Sequence, residues 1–374
     1  MNSRRASSFY LFCVIIICFG IISCSQKEHS INIGAILPLT GDLAPYGENA
    51  KNGITLLAEK INNNGGIQGK NINMIFEDSN ALPEKAVAAV QKLNNIDKVA
   101  AIIGDIASSP TLAIAPIVNK NKIVLVSPAA SSPDISNAGP YVYRVWPSDV
   151  FEADRMADYV KTFPNKKIAV LYVNNDYGQA MLKEFKTRLM NSAIDIIAEE
   201  KFEQNTIDVR IQITRIKKTN PDFIYLISYP KDSIIILRQY KELALSVRLL
   251  STSSFEDNLI LKEVGGIAEG VIFTSPIPPQ EDDLIVSSFK TDYKNRFGAE
   301  PGLVADFGYD ALLVMLEAIK LSGKLTRDGI KEGIDLIKNL NGATGVINFD
   351  KNGDVVKPSG LKTVKSGKYV WLKR

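Results

Sequence analysis

Ile31-Asn32-Ile33-Gly34-Ala35-Ile36-Leu37 is the first of four short apolar runs that recur through residues 31–126. The others are Ile72–Phe76, Val99–Ile103 and Ile123–Val126. Between the first two, Gly47–Asn62 carries Ile54, Leu57, Ala58 and Ile61 at helical spacing and stops at Gly65-Gly66. That is a helix closed by glycine. Pro83–Asn94 opens on a proline, which suits a first helical turn, and Pro110–Asn119 follows the third run. Strand, helix, strand at this spacing predicts a parallel sheet covered by helices on both faces.

The pattern restarts downstream. Helices are expected at Ala153–Thr162, Gly178–Met190, Val209–Lys218 and Ile234–Leu243. Strands are expected at Ile168–Tyr172, Asp195–Glu200, Phe223–Ile227, Arg248–Ser251 and Gly270–Phe273. Two similar α/β units therefore lie in tandem. Pro276-Ile277-Pro278-Pro279 breaks the second. Two more helices follow, Leu284–Phe297 and Ala305–Ser322, and then a glycine-rich turn at 341–345. The chain closes with strands at Val346–Phe349 and Thr363–Trp371.

Upstream, Arg4 and Arg5 precede Phe9–Ile22, an almost unbroken apolar run of 14 residues. That is short of the ~20 needed to span a bilayer. A basic start, an apolar middle and a small-residue exit predict a secretory signal peptide over residues 1–23. The exit Ile21-Ile22-Ser23-Cys24 resembles a bacterial lipobox, which implies that Cys24 is lipidated and that residues 24–30 form a tether. The expected product is exported and membrane-anchored, in the periplasm or at the cell surface.

The chain has 374 residues and a formal charge of +3, from 44 basic and 41 acidic side chains. Without Arg4 and Arg5 the balance is 42 against 41. This argues against nucleic acid as a partner, since phosphate binding needs a concentrated basic face. His29 is the one histidine, and Cys13, Cys18 and Cys24 are the only cysteines. That inventory argues against a Ser-His-Asp or Cys-His enzyme, a histidine metal site and a disulfide framework. A carboxylate enzyme stays open on composition. The chain shows no G-x-S-x-G elbow, phosphate loop or metal spacing, so no catalytic residue, cofactor or metal is expected.

The order of motifs resembles the branched-chain amino-acid-binding proteins of bacterial ABC transporters. The resemblance is carried by Ile33–Gly41, Ala44-Pro45-Tyr46-Gly47, Gly65-Gly66-Ile67-Gln68-Gly69, Ile103-Gly104 with Ser108-Ser109, Ser127–Ser131, Asp176-Tyr177-Gly178 and Ala268-Glu269-Gly270. It covers nearly the whole exported chain in order. It implies the type I periplasmic binding fold, two doubly wound parallel-sheet lobes that close about a three-crossing hinge like a flytrap. The lobes would be 31–147 plus 276–343 and 148–275 plus 344–374. Crossings are expected near Trp146–Asp149, Ser275–Pro278 and Thr344–Ile347. The ligand would lie at the carboxyl ends of the strands.

Ser108-Ser109-Pro110 follows a strand and opens a helix, with Ser109 as the expected N-cap. Free N–H groups and the positive helix end make an anion site there, and the same sequence also serves plain capping. The resemblance implies that Ser108 touches ligand. It also implies that Ala129, Ala130 and Ser131 hold a carboxylate and an amine. Asp149 is the implied acceptor for the amine, and it also fits a helix cap. A second family acid falls on Ser253, with Glu256 and Asp257 slightly later, so that either one acceptor is lost or a small loop shift lets Glu256 take its place. Tyr46, Tyr177 and Tyr229 match cleft positions. Trp146 can pack the hinge or face ligand. Phe151 and Glu152 stand where better-known members are more neutral, implying a ligand with added bulk or positive charge. Asp42, Glu48, Glu184 and Glu281 are surface acids of the kind that dock membrane subunits, and also of an ordinary solvated face.

The expected function is a monomeric, non-enzymatic lipoprotein that delivers an amino acid or similar small polar solute to the permease subunits of an ABC importer. The alternative keeps the fold and makes the protein a sensor of an amide, urea or aromatic acid.

Overall fold

The computed structural model describes residues 30–163, 165–280 and 283–373. The leader, Cys24 and the tether up to residue 29 lie outside the described residues, as does Glu281.

The first unit runs β1 (Ser30–Leu37), α1 (Ala44–Asn63), β2 (Asn71–Asp78), α2 (Pro83–Asn95), β3 (Ala101–Gly104), α3 (Ser108–Lys120), β4 (Val124–Ser127) and β5 (Val142–Arg144). Its sheet has the order β2-β1-β3-β4-β5, and every pairing is parallel. β3, β4 and β5 are buried along their whole length. That explains their unbroken apolar character, since helices cover both faces.

The second unit runs α4 (Asp149–Lys161), β6 (Lys166–Val173), α5 (Asp176–Leu189), β7 (Ile194–Phe202), α6 (Arg210–Thr219), β8 (Phe223–Ile227), α7 (Pro230–Glu242), β9 (Arg248–Ser251), α8 (Asn258–Val264) and β10 (Ile272–Pro276). The chain then crosses to the first unit for α9 (Leu284–Phe297), α10 (Ala305–Ser322), α11 (Arg327–Leu336) and the small ladder of β11 (Leu340–Gly342) with β12 (Gly345–Ile347). It returns as the hairpin β13 (Ser359–Lys365) and β14 (Lys368–Lys373). The second sheet has the order β14-β13-β10-β9-β8-β6-β7, parallel except at β10–β13 and β13–β14.

The alternation read from the sequence matches this architecture, and α9 and α10 fall on their expected bounds. The short elements β5 and α8, and the helix α11, were not anticipated. The single strand expected at Thr363–Trp371 is a hairpin, because Ser366 (φ 53°) and Gly367 (φ 68°) turn the chain back. The last crossing also moves. Phe349 packs edge-on against Tyr143 at 5.3 Å, and Gly353 O accepts from Arg144 N. Residues 349–354 therefore stay with the first sheet, and the return lies between Val355 and Ser359 rather than at Thr344–Ile347.

Two helices approach closely where glycine allows it. A Cβ on Gly53 of α1 would stand 1.9 Å from Ala305 O, and one on Gly308 of α10 would stand 2.4 Å from Ala50 O. Gly53→Ala is expected to push α1 from α10 and cost ~1–3 kcal/mol, the usual range for overpacking. Urea denaturation reads the loss directly; an unchanged midpoint would show that the helices separate freely.

Candidate functional site

The loops after β1, β3 and β4 meet those after β6, β8 and β9 between the two sheets, at the carboxyl ends of the strands. They enclose a cavity of about 60 Å³. Its polar wall is made of hydroxyls: Ser108, Ser131, Ser253, Ser254, Tyr177 and Tyr229. Its apolar wall includes Leu43, Ile106, Trp146, Leu303 and Val304, with Tyr46 between.

Each serine is held by its loop. Ser108 Oγ accepts from Ser132 N at 3.1 Å, tying the start of α3 to the loop after β4. Ser127 Oγ donates to Asp105 O at 2.6 Å and accepts from Ala130 N at 2.9 Å, which fixes that loop. Ala130 spends its N–H inside the turn and is fully buried, so it does not reach the cavity as expected, whereas Ala129 does. Ser109 is not the N-cap of α3. The helix begins two residues earlier than expected, at Ser108, and Asp105 Oδ1 accepts from Ala107 N at 2.9 Å in place of a serine cap. Ser109 Oγ instead accepts from Asp176 N at 3.3 Å, reaching across to the start of α5.

Two carboxylates lie directly behind the hydroxyl wall. Asp149 and Glu152 are each 1% exposed on the first turn of α4. The helix N-cap is Ser148, so Asp149 is free of the capping role. Asp149 N donates to Ser131 O at 2.9 Å, and the Ser131 hydroxyl bonds its carboxylate. Its Oδ2 has no partner among the described residues. Burial, and then the charge of Glu152, hold the Asp149 carboxyl well above the usual carboxylate range. Burial also raises Glu152, against hydrogen bonds from Ser253 and Thr274.

Glu152 corrects the expectation about the second acid. Its Oε1 takes the Ser253 hydroxyl at 2.5 Å, and its Oε2 takes Ser253 N at 3.0 Å and Thr274 Oγ1 at 2.6 Å. The carboxylate missing at Ser253 is thus supplied from α4. Glu256 does not replace it. It pairs with Lys362 and accepts from Ser275 Oγ at 2.7 Å, on the wall of a neighbouring chamber. Sequence reasoning noted Glu152 as an unusual charge but could not place it, because its partners lie 101 and 122 residues away.

Aromatic side chains pack along the cavity wall. Tyr177 and Tyr229 stack with centroids 5.4 Å apart, and Tyr177 OH shares a hydrogen bond of 2.7 Å with Thr252 Oγ1. Trp146 both packs the hinge region, 4.5 Å from Phe307, and faces the cavity. Tyr225 is core, as expected, against Phe185. Leu303 and Val304 were missed. Val304 has φ of 76°, uncommon for a β-branched residue and invisible in the sequence.

Few hydrogen bonds bridge the two sides. Besides Ser109 and Asp176, Tyr46 OH donates to Ser254 O at 3.2 Å, and Lys231 Nζ lies 3.0 Å from Asp42 Oδ1. Asp42 is thereby engaged across the cleft rather than a free docking acid. Glu48 and Glu184 pair with Lys51 and Arg188 on their own helices. No described helix is long and apolar enough to cross a membrane. No cluster of metal-ligating side chains is found among the described residues.

The sequence pattern of the periplasmic binding protein family matches residues 30–368. A leucine-, isoleucine-, valine-, threonine- and alanine-binding protein of Pseudomonas aeruginosa is 26% identical over 359 residues, covering 95% of this chain and 93% of the relative. A leucine-binding protein of Thermotoga maritima superposes with a TM-score of 0.84 at 29% identity, covering 91% of this chain and 97% of its own. A solute-binding protein of an ABC transporter from Rhodopseudomonas palustris, in complex with 3,4-dihydroxybenzoic acid, has a TM-score of 0.82 at 25% identity, covering 93% and 97%.

The buried acids give a pH signature. Unfolded, Asp149 loses its proton near pH ~4. Folded, it keeps the proton to higher pH, so stability falls as pH rises from about 4 through the folded value. Asp149→Asn is expected to flatten that fall and to raise the ligand-free protein's urea midpoint at pH 7. A variant whose pH profile parallels the parent's would show that Asp149 ionises normally.

Proposed function

The chain belongs to the periplasmic binding protein family, and on that footing we propose that it is an exported lipoprotein, anchored at Cys24, that captures an amino acid between its lobes and delivers it to the permease subunits of an ABC importer. The family consists of substrate-binding proteins of transporters, not enzymes. The lobes in this reading are the first sheet with α9–α11 and the second sheet with its helices.

The observation that carries the ligand class is the unpartnered Asp149 Oδ2, buried beside Glu152 behind a wall of hydroxyls. Arg144 is the cation acting on Asp149, and it is committed to Asp354. Asp149, buried and held mostly protonated, favours a cationic guest that lets it ionise. An ammonium group supplies that charge. The first N–H groups of α3 and the Ser108 hydroxyl supply donors for the carboxylate of the same solute. An aromatic acid, as bound by the Rhodopseudomonas palustris protein, brings a second negative charge and no ammonium, so the acid pair disfavours it.

A thermal-shift screen of protein refolded free of carried-over ligand tests this. The panel holds amino acids, urea, simple amides and 3,4-dihydroxybenzoate. An amino acid at 100 times its Kd is expected to stabilise by ~2.7 kcal/mol. A shift with urea or the benzoate alone overturns the amino-acid assignment. Ser108→Ala is expected to weaken binding by ~1–3 kcal/mol, measured by calorimetry. Because an ammonium favours ionised Asp149, binding is expected to release a proton near neutral pH. The calorimetric heat then varies with the ionisation enthalpy of the buffer; equal heats in phosphate and Tris would remove Asp149 as the acceptor.

A further inference from the structure

The cavity at the strand ends is too small to hold most amino-acid side chains. At about 60 Å³ it falls well below the ~300–1,000 Å³ common for ligand sites. A second chamber of about 570 Å³ lies on its hinge side and shares Tyr46, Trp146 and Leu303 as walls. Resting on amino-acid capture as proposed above, we infer that the ligand's side chain enters this hinge chamber and that the solute is an aromatic amino acid.

The two spaces differ in what they ask of a guest. The small cavity has the open Asp149 Oδ2 behind it. Among the described residues, no buried polar atom on the chamber's wall lacks a partner. Its wall carries both signs, Glu256, Asp257 and Asp306 against Lys290, Lys357 and Lys362. Lys362 pairs with Glu256 and stands 4.4 Å over the Trp371 ring. Lys357 donates to Thr344 O at 2.8 Å and lies 5.3 Å from the centroid of Phe307. With both signs on the wall, nothing there selects a charged side chain. Phe289, Phe307, Tyr369 and Trp371 line the chamber, and aromatic pairs in offset or edge-on geometry are worth more than their buried area. A short aliphatic chain leaves most of the volume empty and forfeits those contacts.

Access requires one movement. Tyr46 stands between the two spaces, and its hydroxyl is tied to the opposite side by bonds to Ser254 O and the Asp257 carboxylate. A turn of that ring joins them. The chamber also touches the hinge, through Trp146, Pro276 and Lys357. Filling it therefore couples side-chain size to lobe closure.

The test is calorimetry on the full chain with phenylalanine, tryptophan, leucine and alanine, repeated on Ile277→Trp and Val286→Phe. Both variants fill the chamber from positions outside the small cavity. The expected result is aromatic amino acids at least about tenfold tighter than leucine, and at least about tenfold weaker in the fillers, with alanine unchanged. Leucine or alanine binding tighter than the aromatics overturns this inference and leaves amino-acid capture standing. So do fillers that leave aromatic affinity intact, or that weaken alanine equally. Silence with all four amino acids overturns both readings.

Discussion

The cleft depends on one buried guanidinium. Arg144, at the end of β5, is fully buried and has its donors engaged on three segments. Its Nε meets Asp354 Oδ1 at 2.7 Å, its Nη1 donates to Ser131 O and Ser132 O at 2.8 Å each, and its Nη2 donates to Ser136 Oγ at 2.9 Å. The fork of Arg is what allows such distribution, which a lysine would not reproduce. Through Ser131 O the same loop accepts from Asp149 N, so the first turn of α4 is set by the arginine as well. A buried ion pair adds little net stability over an apolar substitute, but losing one partner strands the other. Its value here is positional: it holds the serine loop, the third chain segment and the acid-bearing helix in one register.

Built on that frame, the site is rigid within each lobe and lightly fastened between them. Within the lobes, serines and backbone groups lock every loop. Between them stand single contacts, Tyr46 to Ser254, Ser109 to Asp176 and Lys231 to Asp42. The Lys231–Asp42 pair, partly exposed, is of a kind that contributes ~0–1 kcal/mol. A cleft closed mainly by weak contacts can reopen, and the solute's own contacts with both sides then decide how long it stays shut.

Much of the site was legible in the order of motifs. Tyr46, Ser108, Ala129, Ser131, Tyr177, Tyr229 and Ser253 all reach the cavity, because each follows directly on a predictable strand or opens a predictable helix. The misses share a cause. Ser109 and Ala130 are neighbours of true wall residues, and a single step along a turn points the next residue elsewhere. Glu256 does not reach Ser253; Glu152, on a different element, meets Ser253 and Thr274 at once.

The sequence by itself determined the alternation of strands and helices, the two-unit division and the strand ends at which the candidate site lies, since these follow from local hydrophobic period and from glycine and proline placement. Tertiary structure alone decided the last crossing, the pairing of Glu152 with Ser253, the unpartnered oxygen of Asp149 and the hinge chamber. Those features arise where segments 100 or more residues apart in sequence are brought within hydrogen-bond distance. Hydrophobic periodicity carries no information about which side chains meet there.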